Sequence, residues 1–422
     1  MRVLRNLLLP GLACLLAGCP NLVDPVPTPG PGASPFDCAS AIGLSGVVEV
    51  EDAIPGRYIV VLKDALPGAP RTGAAQLSVQ SVVRELGVDD VEVFDGVLRG
   101  FACRAGQEKA AEVAADPRVA FVQQEGRKRV DPRPAQQLDA TWGLDRTDQR
   151  NLPLDGVFDP GADGQGVHAY VIDTGMDVAH PEFAGRVGEG FSATGDGIAD
   201  DDGHGTHVAG TLGGREFGIA KQVILHPVRV LVRGSGTDSQ VIAGVDFVTR
   251  HASEHGWPAV ANMSLGGSVS PALDVAVCNS ILSGVSYAVA AGNENADACD
   301  SSPARVAEAI GTGASDRSDT RAPFSNTGRC VDLFAPGVDI TSARRGGGSI
   351  ALSGTSMASP HAAGVAALCL QRNPGSGPAQ VERCVVESAT RDQLSAIGPG
   401  SPNRLLYAKG DPSQLASAPE SE

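Results

Sequence analysis

Basic charge is in short supply in this 422-residue chain: 33 Lys and Arg stand against 49 Asp and Glu, for a net charge of −16. Like charges repel, so nucleic acid and an anionic membrane surface are excluded as main partners, and the excess reads as solubility. Long apolar runs are lacking too. The run at residues 7–16 falls short of the roughly 20 residues that a membrane-spanning helix needs. No cysteine lies near His204 and His207 to complete a structural zinc site. The remaining composition is ordinary, with 42% apolar and 19% charged residues, enough for one large core plus a smaller module.

The N-terminus reads as a targeting signal over residues 1–18. Met1-Arg-Val-Leu-Arg5 is a basic start, the short apolar run follows, and Leu16-Ala-Gly-Cys19 closes it. Leu-Ala-Gly-Cys resembles a bacterial lipobox, which implies lipidation of Cys19 and a membrane-anchored precursor; the alternative is an ordinary secretory signal cut near Ala17 or Cys19. Residues 19–54 read as a proline-rich tether.

Residues 55–130 change character. A strand at 57–62, a helix at 74–86, strands at 91–94 and 98–104, a helix at 107–115 and a strand at 119–124 make a β-α-β-β-α-β order, ferredoxin-like α+β. From 131 to 409, apolar strands at 167–172, 223–232, 260–263, 285–290 and 306–312 alternate with helical stretches. That predicts an α/β unit, a parallel sheet with helices on both faces and functional loops at the strands' carboxyl ends. Residues 410–422 are small and polar and predict no fold.

Three frames carry chemistry: Val171-Ile-Asp-Thr-Gly175, Gly203-His-Gly-Thr-His-Val-Ala-Gly210 and Gly354-Thr-Ser-Met-Ala-Ser-Pro360. A serine hydroxyl is a poor nucleophile until an imidazole takes its proton, and the imidazole needs a buried carboxylate to orient it. Asp173, His204 and Ser356 supply these parts. With Asn262-Met-Ser-Leu-Gly-Gly267 and Ala290-Ala-Gly-Asn293, they resemble a subtilisin-family serine protease of the proteinase K and aqualysin branch, in the chain order Asp, His, Ser.

The resemblance implies more. Asn293 is the oxyanion-hole residue. Gly234-Ser235-Gly236 and Ser264-Leu265-Gly266 flank an extended substrate, and Ser264 to Gly266 with Ala290, Ala291 and Gly292 wall an S1 pocket that takes apolar or aromatic side chains. Asp238 stands where many relatives place a bulky S4 lid, which sets aside a strong apolar preference there. Residues 55–130 are an inhibitor-type prosegment, chaperone and inhibitor of its own monomeric protease. Structural calcium is expected at Asp332 with the carbonyls of Ala307 and Ala309, and at Asp145, Asp148 and Gln149; Asp196 with Asp200, Asp201 and Asp202 forms a weaker third cluster.

Nine cysteines are present. Cys14 leaves with the signal and Cys19 takes the lipid, so an odd number remains and one thiol stays unpaired. Cys299 and Cys330 match a family disulfide, while Cys369 and Cys384 flank a turn between two helical stretches. Cys38 and Cys103 belong to the N-terminal module, leaving Cys278 as the spare, a small buried hydrophobe. Two other readings compete: a binding protein with a shut protease fold, and a metal hydrolase built on His204 and His207.

Overall fold

The structure is a computed structural model that describes residues 44–50, 53–63, 78–96, 98–129, 133–134 and 141–409. The signal, Cys19, most of the tether and the tail beyond 409 lie outside the described residues.

Period-two burial builds the larger unit. In the strand His168–Asp173, Ala169 and Val171 enter one core while Tyr170 and Ile172 enter another, so both faces of the sheet are covered. Among the described residues eight parallel strands lie in the order Arg404–Leu405, Leu333–Pro336, Ile310–Ser315, Ser286–Ala290, Ala259–Met263, His168–Asp173, Ile224–Arg229, Phe191–Ser192. Helices His204–Gly213 and Thr355–Arg372 pack on one face, and Asp238–His255 and Pro271–Leu282 on the other. The α/β expectation holds. Two strands shift: the one expected at 306–312 runs at Ile310–Ser315, and that at 223–232 shortens to Ile224–Arg229.

The helix Asp238–His255 shows how local sequence sets an element. Thr237 accepts from Gln240 N at 3.3 Å and Gln240 Oε1 accepts from Thr237 N at 3.0 Å, a reciprocal cap. Gly256, at φ 64°, ends it in the left-handed conformation.

The smaller unit has the element order β-α-β-β-α-β, with Val119–Arg129, Ala53–Leu62, Gly100–Arg104 and Asp89–Phe94 side by side and antiparallel. One face packs on its own helices, Val79–Leu86 and Gln107–Ala114, through Tyr58, Val60 and Phe101. The other, with Ile59, Val61, Ala102 and Phe121, shares a core with the helices Asp238–His255 and Pro271–Leu282. Val47–Val48 pairs with Val122 and Gln123, so folded structure begins within the expected tether. The last strand also runs on to Arg129, because residues 127–129 find a pairing edge in the larger unit.

Both expected bridges, Cys299–Cys330 and Cys369–Cys384, are present. Cys278 is not the spare thiol. It is disulfide-bonded to a cysteine outside the described residues, while Cys103 is free and buried, its thiol pushed up to about 11 by that burial. Assigning Cys38 and Cys103 to one module overlooked that the module's sheet packs against the helix that carries Cys278.

Candidate active site

The functional side chains gather at the carboxyl ends of the parallel strands. Asp173 closes the strand His168–Asp173, and His204 opens its helix directly after Gly203, whose φ of 112° favours glycine. His204 Nδ1 lies 2.8 Å from Asp173 Oδ1, and both residues are buried. Burial opposes the imidazolium, but Asp173, with Asp202 and Asp200 behind it, outweighs burial and raises the His204 pKa above its ordinary value. Ser356 is the second residue of the helix Thr355–Arg372, which packs against the His204 helix. Its hydroxyl donates to the Ser264 carbonyl at 3.2 Å, while His204 Nε2 has no hydrogen-bond partner among the described residues. General-base chemistry needs that hydroxyl turned from Ser264 to His204.

Pro360 explains part of the scaffold. It has no N–H to donate to the carbonyl four residues earlier, so the Ser356 carbonyl is open, and Ser264 Oγ donates to it at 2.7 Å. Asn262 donates to Ser264 Oγ at 2.9 Å and accepts from Ser359 Oγ at 2.7 Å, which ties the Ser356 helix to the strand Ala259–Met263. Asn293 Oδ1 accepts from Thr355 N and Oγ1, so its acceptor end is held next to Ser356.

Sequence reading missed the part played by Asp200. Its carboxylate accepts from Thr174 Oγ1 at 2.9 Å, Gly203 N at 2.8 Å and Thr206 N at 2.9 Å, bracing the residue after Asp173 against the turn before His204. Asp201 pairs with Arg229 at 2.9 Å. These internal donors occupy the Asp200 carboxylate and one oxygen of Asp201 in the expected third calcium cluster. His207 Nε2 faces the Ile340 carbonyl at 2.9 Å, and burial pushes its pKa down to about 3. With His204 Nδ1 taken by Asp173, the two histidines do not form a ligand pair.

A pocket of about 330 Å³ opens at Ser356, lined by Leu265, Gly266, Ala290, Gly292 and Asn293. Ser264 and Ala291 stand behind this wall, both fully buried. The lining also includes Glu294, Asp297 and Asp300, three carboxylates absent from the walls the sequence suggested.

The cleft holds the chain's own N-terminal unit. Arg127, Lys128 and Arg129 pair antiparallel with Thr237, Gly236 and Ser235, just after the turn at Gly234. On the opposite side a Cβ at Gly267 would fall 2.6 Å from the Arg127 carbonyl, so only glycine lets the strand lie this close. Gly267–Ser268 thus lies against this strand, directly after the expected flanking segment Ser264 to Gly266. Further along, Arg133 and Pro134 pair with Ser353 and Leu352, in the strand that leads to Ser356.

The expected calcium positions were tested by their donors. Asp145 Oδ1 and Asp148 Oδ1 are buried with no hydrogen-bond partner, and burial raises the Asp145 pKa beside Asp155 and Asp148. Two orphaned hard oxygens suit a divalent cation. Gln149 fits less well, because its side-chain oxygen accepts from Asp155 N and its carbonyl from Arg146. Burial pushes Asp332 up to about 7, and one of its oxygens accepts from Gly311 N at 2.7 Å. Ala307 and Ala309 lie in the loop leading to the strand Ile310–Ser315, Ala307 exposed and Ala309 buried. Among the described residues no group of three or more His, Cys, Asp or Glu forms a metal array, so either site needs backbone carbonyls.

Comparison with known proteins agrees with this geometry. Residues 164–406 match the model of the subtilase family, Peptidase_S8. An extracellular serine proteinase of Thermus sp. (strain Rt41A) is 49% identical over 89% of this chain and 94% of its own length. Alkaline serine exoprotease A of Vibrio alginolyticus is 48% identical over 85% of this chain and 68% of its own. The crystal structure of a cold-adapted subtilisin-like serine proteinase superposes with a TM-score of 0.62 at 53% identity, covering 64% of this chain and 98% of that one. A match across more than half of the chain, joined to the Asp173–His204 bond and the helix that presents Ser356, places this protein in the subtilase family of serine endopeptidases.

Proposed function

We propose that this chain is an exported endopeptidase made as a self-inhibited precursor. The observation that carries the reading is that its own backbone pairs with the segments around the site, residues 127–129 with Ser235–Thr237 and 133–134 with Leu352 and Ser353. Ser356 attacks the scissile carbonyl; His204 takes its proton and returns it to the leaving amine; Asp173 holds the imidazole tautomer and stabilises its cation. Asn293 and the Ser356 N–H receive the oxyanion. Extended substrates add a strand between Ser235–Thr237 and Gly267–Ser268, as the N-terminal unit does. The S1 pocket takes apolar or aromatic side chains against Leu265, Gly266, Ala290 and Gly292.

The unit ending at Arg129 serves as chaperone and inhibitor until the chain is cut between Arg129 and Arg133. Export draws support from the extracellular relative, and the Leu-Ala-Gly-Cys sequence supports a lipid anchor at Cys19 on the precursor. Calcium, bound through Asp145 and Asp148 and through Asp332, would tie surface loops and take no part in the chemistry.

The test is a fluorophosphonate probe on processed protein. Rapid covalent labelling of wild type at Ser356 is expected, and Ser356→Ala should accumulate as full-length precursor. Mature-sized Ser356→Ala protein would refute self-processing, and unlabelled wild type would refute the serine mechanism.

A further inference from the structure

Lys128 enters the cleft and is completely buried there. Its ammonium lies 2.9 Å from Asp238 Oδ1 and donates to the Ser268 carbonyl at 2.9 Å. Burying a lone ammonium is costly unless it is paired, so the fold commits a carboxylate and a carbonyl to this one side chain. The other Asp238 oxygen accepts from Gly126 N at 2.8 Å and Gln123 Nε2 at 3.3 Å. Lys128, Gly126 and Gln123 are the carboxylate's partners among the described residues, and all three belong to the N-terminal unit. When that unit leaves, Asp238 loses every one of them.

A second acid stands nearby. Asp274 is fully buried in the first turn of the helix Pro271–Leu282, with Arg305 3.8 Å away. Burial pushes its carboxyl up to about 7, partly countered by Arg305, Ser302 and Lys128. Arg305 accompanies Asp274, so the carboxylate that loses its cation when the cleft is vacated is Asp238.

We infer that Asp238 makes the mature cleft select a Lys or Arg side chain at the substrate position whose backbone pairs with Gly236. This rests on the endopeptidase reading and adds a second determinant to the S1 pocket. With the cut between Arg129 and Arg133, that position lies roughly two to five residues upstream of the scissile bond. A charged hydrogen bond made in a water-poor groove discriminates by about 10- to 100-fold in kcat/KM.

The experiment is cleavage profiling of purified processed enzyme on internally quenched peptides carrying Lys, Arg, Leu or Glu at each upstream position. At one position, Lys and Arg should exceed Leu by about 10- to 100-fold and Glu by more. Asp238→Asn should bring the Lys to Leu ratio toward one, Asp238→Glu should restore it, and Asp238→Lys should turn the preference to Glu. Wild type that cleaves these peptides without a basic preference at any upstream position overturns the inference, whatever the variants do. Wild type that cleaves no peptide overturns the endopeptidase reading and this inference together.

Discussion

Thr355 holds Asn293 by its acceptor oxygen, with the Thr355 backbone N–H at 2.8 Å and its hydroxyl at 3.1 Å from Asn293 Oδ1. An amide has one accepting end and one donating end, so engaging the oxygen fixes which end of Asn293 can donate. The Thr355 hydroxyl also accepts from Gly292 N at 3.1 Å, linking the loop to the nucleophile's helix.

Asn293→Ala should therefore lower kcat by about 10² to 10³ with KM little changed, a magnitude taken over from the corresponding donor in subtilisin. Thr355→Val keeps the backbone bond but loses the hydroxyl, and about a tenfold loss in kcat is expected. Steady-state kinetics on one peptide decides both. A rise in KM at constant kcat would assign Asn293 to ground-state binding.

Calcium should raise the melting temperature of purified enzyme, and chelator should lower it. Asp148→Ala and Asp332→Ala should each remove part of that response while leaving the cleavage pattern unchanged, because both lie apart from the substrate strands. Calorimetry with and without calcium is the measurement. Wild-type stability indifferent to calcium would remove the basis for both sites.

The Cys278 disulfide alters what processing releases. Of the nine cysteines, the two described bridges use four and Cys103 is free, leaving Cys14, Cys19 and Cys38 as possible partners of Cys278. All three precede the cut. Processed enzyme should therefore run as one linked species on a non-reducing gel and as two with reductant, and Cys278→Ser should separate without reductant. If Cys19 carries a lipid and Cys38 makes the bridge, the mature enzyme should stay with membranes until reduced. Two bands without reductant in the wild type would count against the link.

Acid should destabilise the protein through a cluster of histidines other than His204. His168 Nδ1 meets His226 Nε2 at 2.8 Å, His226 Nδ1 faces the Glu189 carbonyl, and Tyr170 Oη meets His251. Burial first, and neighbouring histidines second, push His168 down to about 4; His226 also reaches about 4 despite its bond to Glu189. His251 and His255 oppose a proton there, while the Glu189 and Glu254 carboxylates favour one on His251. Folding thus favours the neutral rings. Their contribution is full above the unfolded value of about 6.5 and is lost as pH falls toward 4. The melting temperature should drop across that window, and His226→Gln should flatten the drop. Parallel curves for wild type and variant would show that other groups control acid stability.

Local sequence was enough for the main sheet and for the three frames around Asp173, His204 and Ser356. Asp173, His204 and Ser356 each sit in a short frame whose neighbours have local work: Gly203 supplies the turn before His204, and Pro360 frees the Ser356 carbonyl for Ser264. The parallel strands were legible as compact apolar runs because both faces are buried. What only the tertiary structure decided lies between distant segments. Asp200 read as part of a weak calcium cluster, and only the fold shows Thr174 and Thr206 closing on it. Cys278 read as spare until the N-terminal unit packed on its helix. Lys128 fell near the end of the expected prosegment and Asp238 at the expected S4 lid position, and only strand pairing between the two units brought them to 2.9 Å in a buried groove. Pattern along the chain records which face each segment buries, whereas a charge pair depends on which segments that burial brings together.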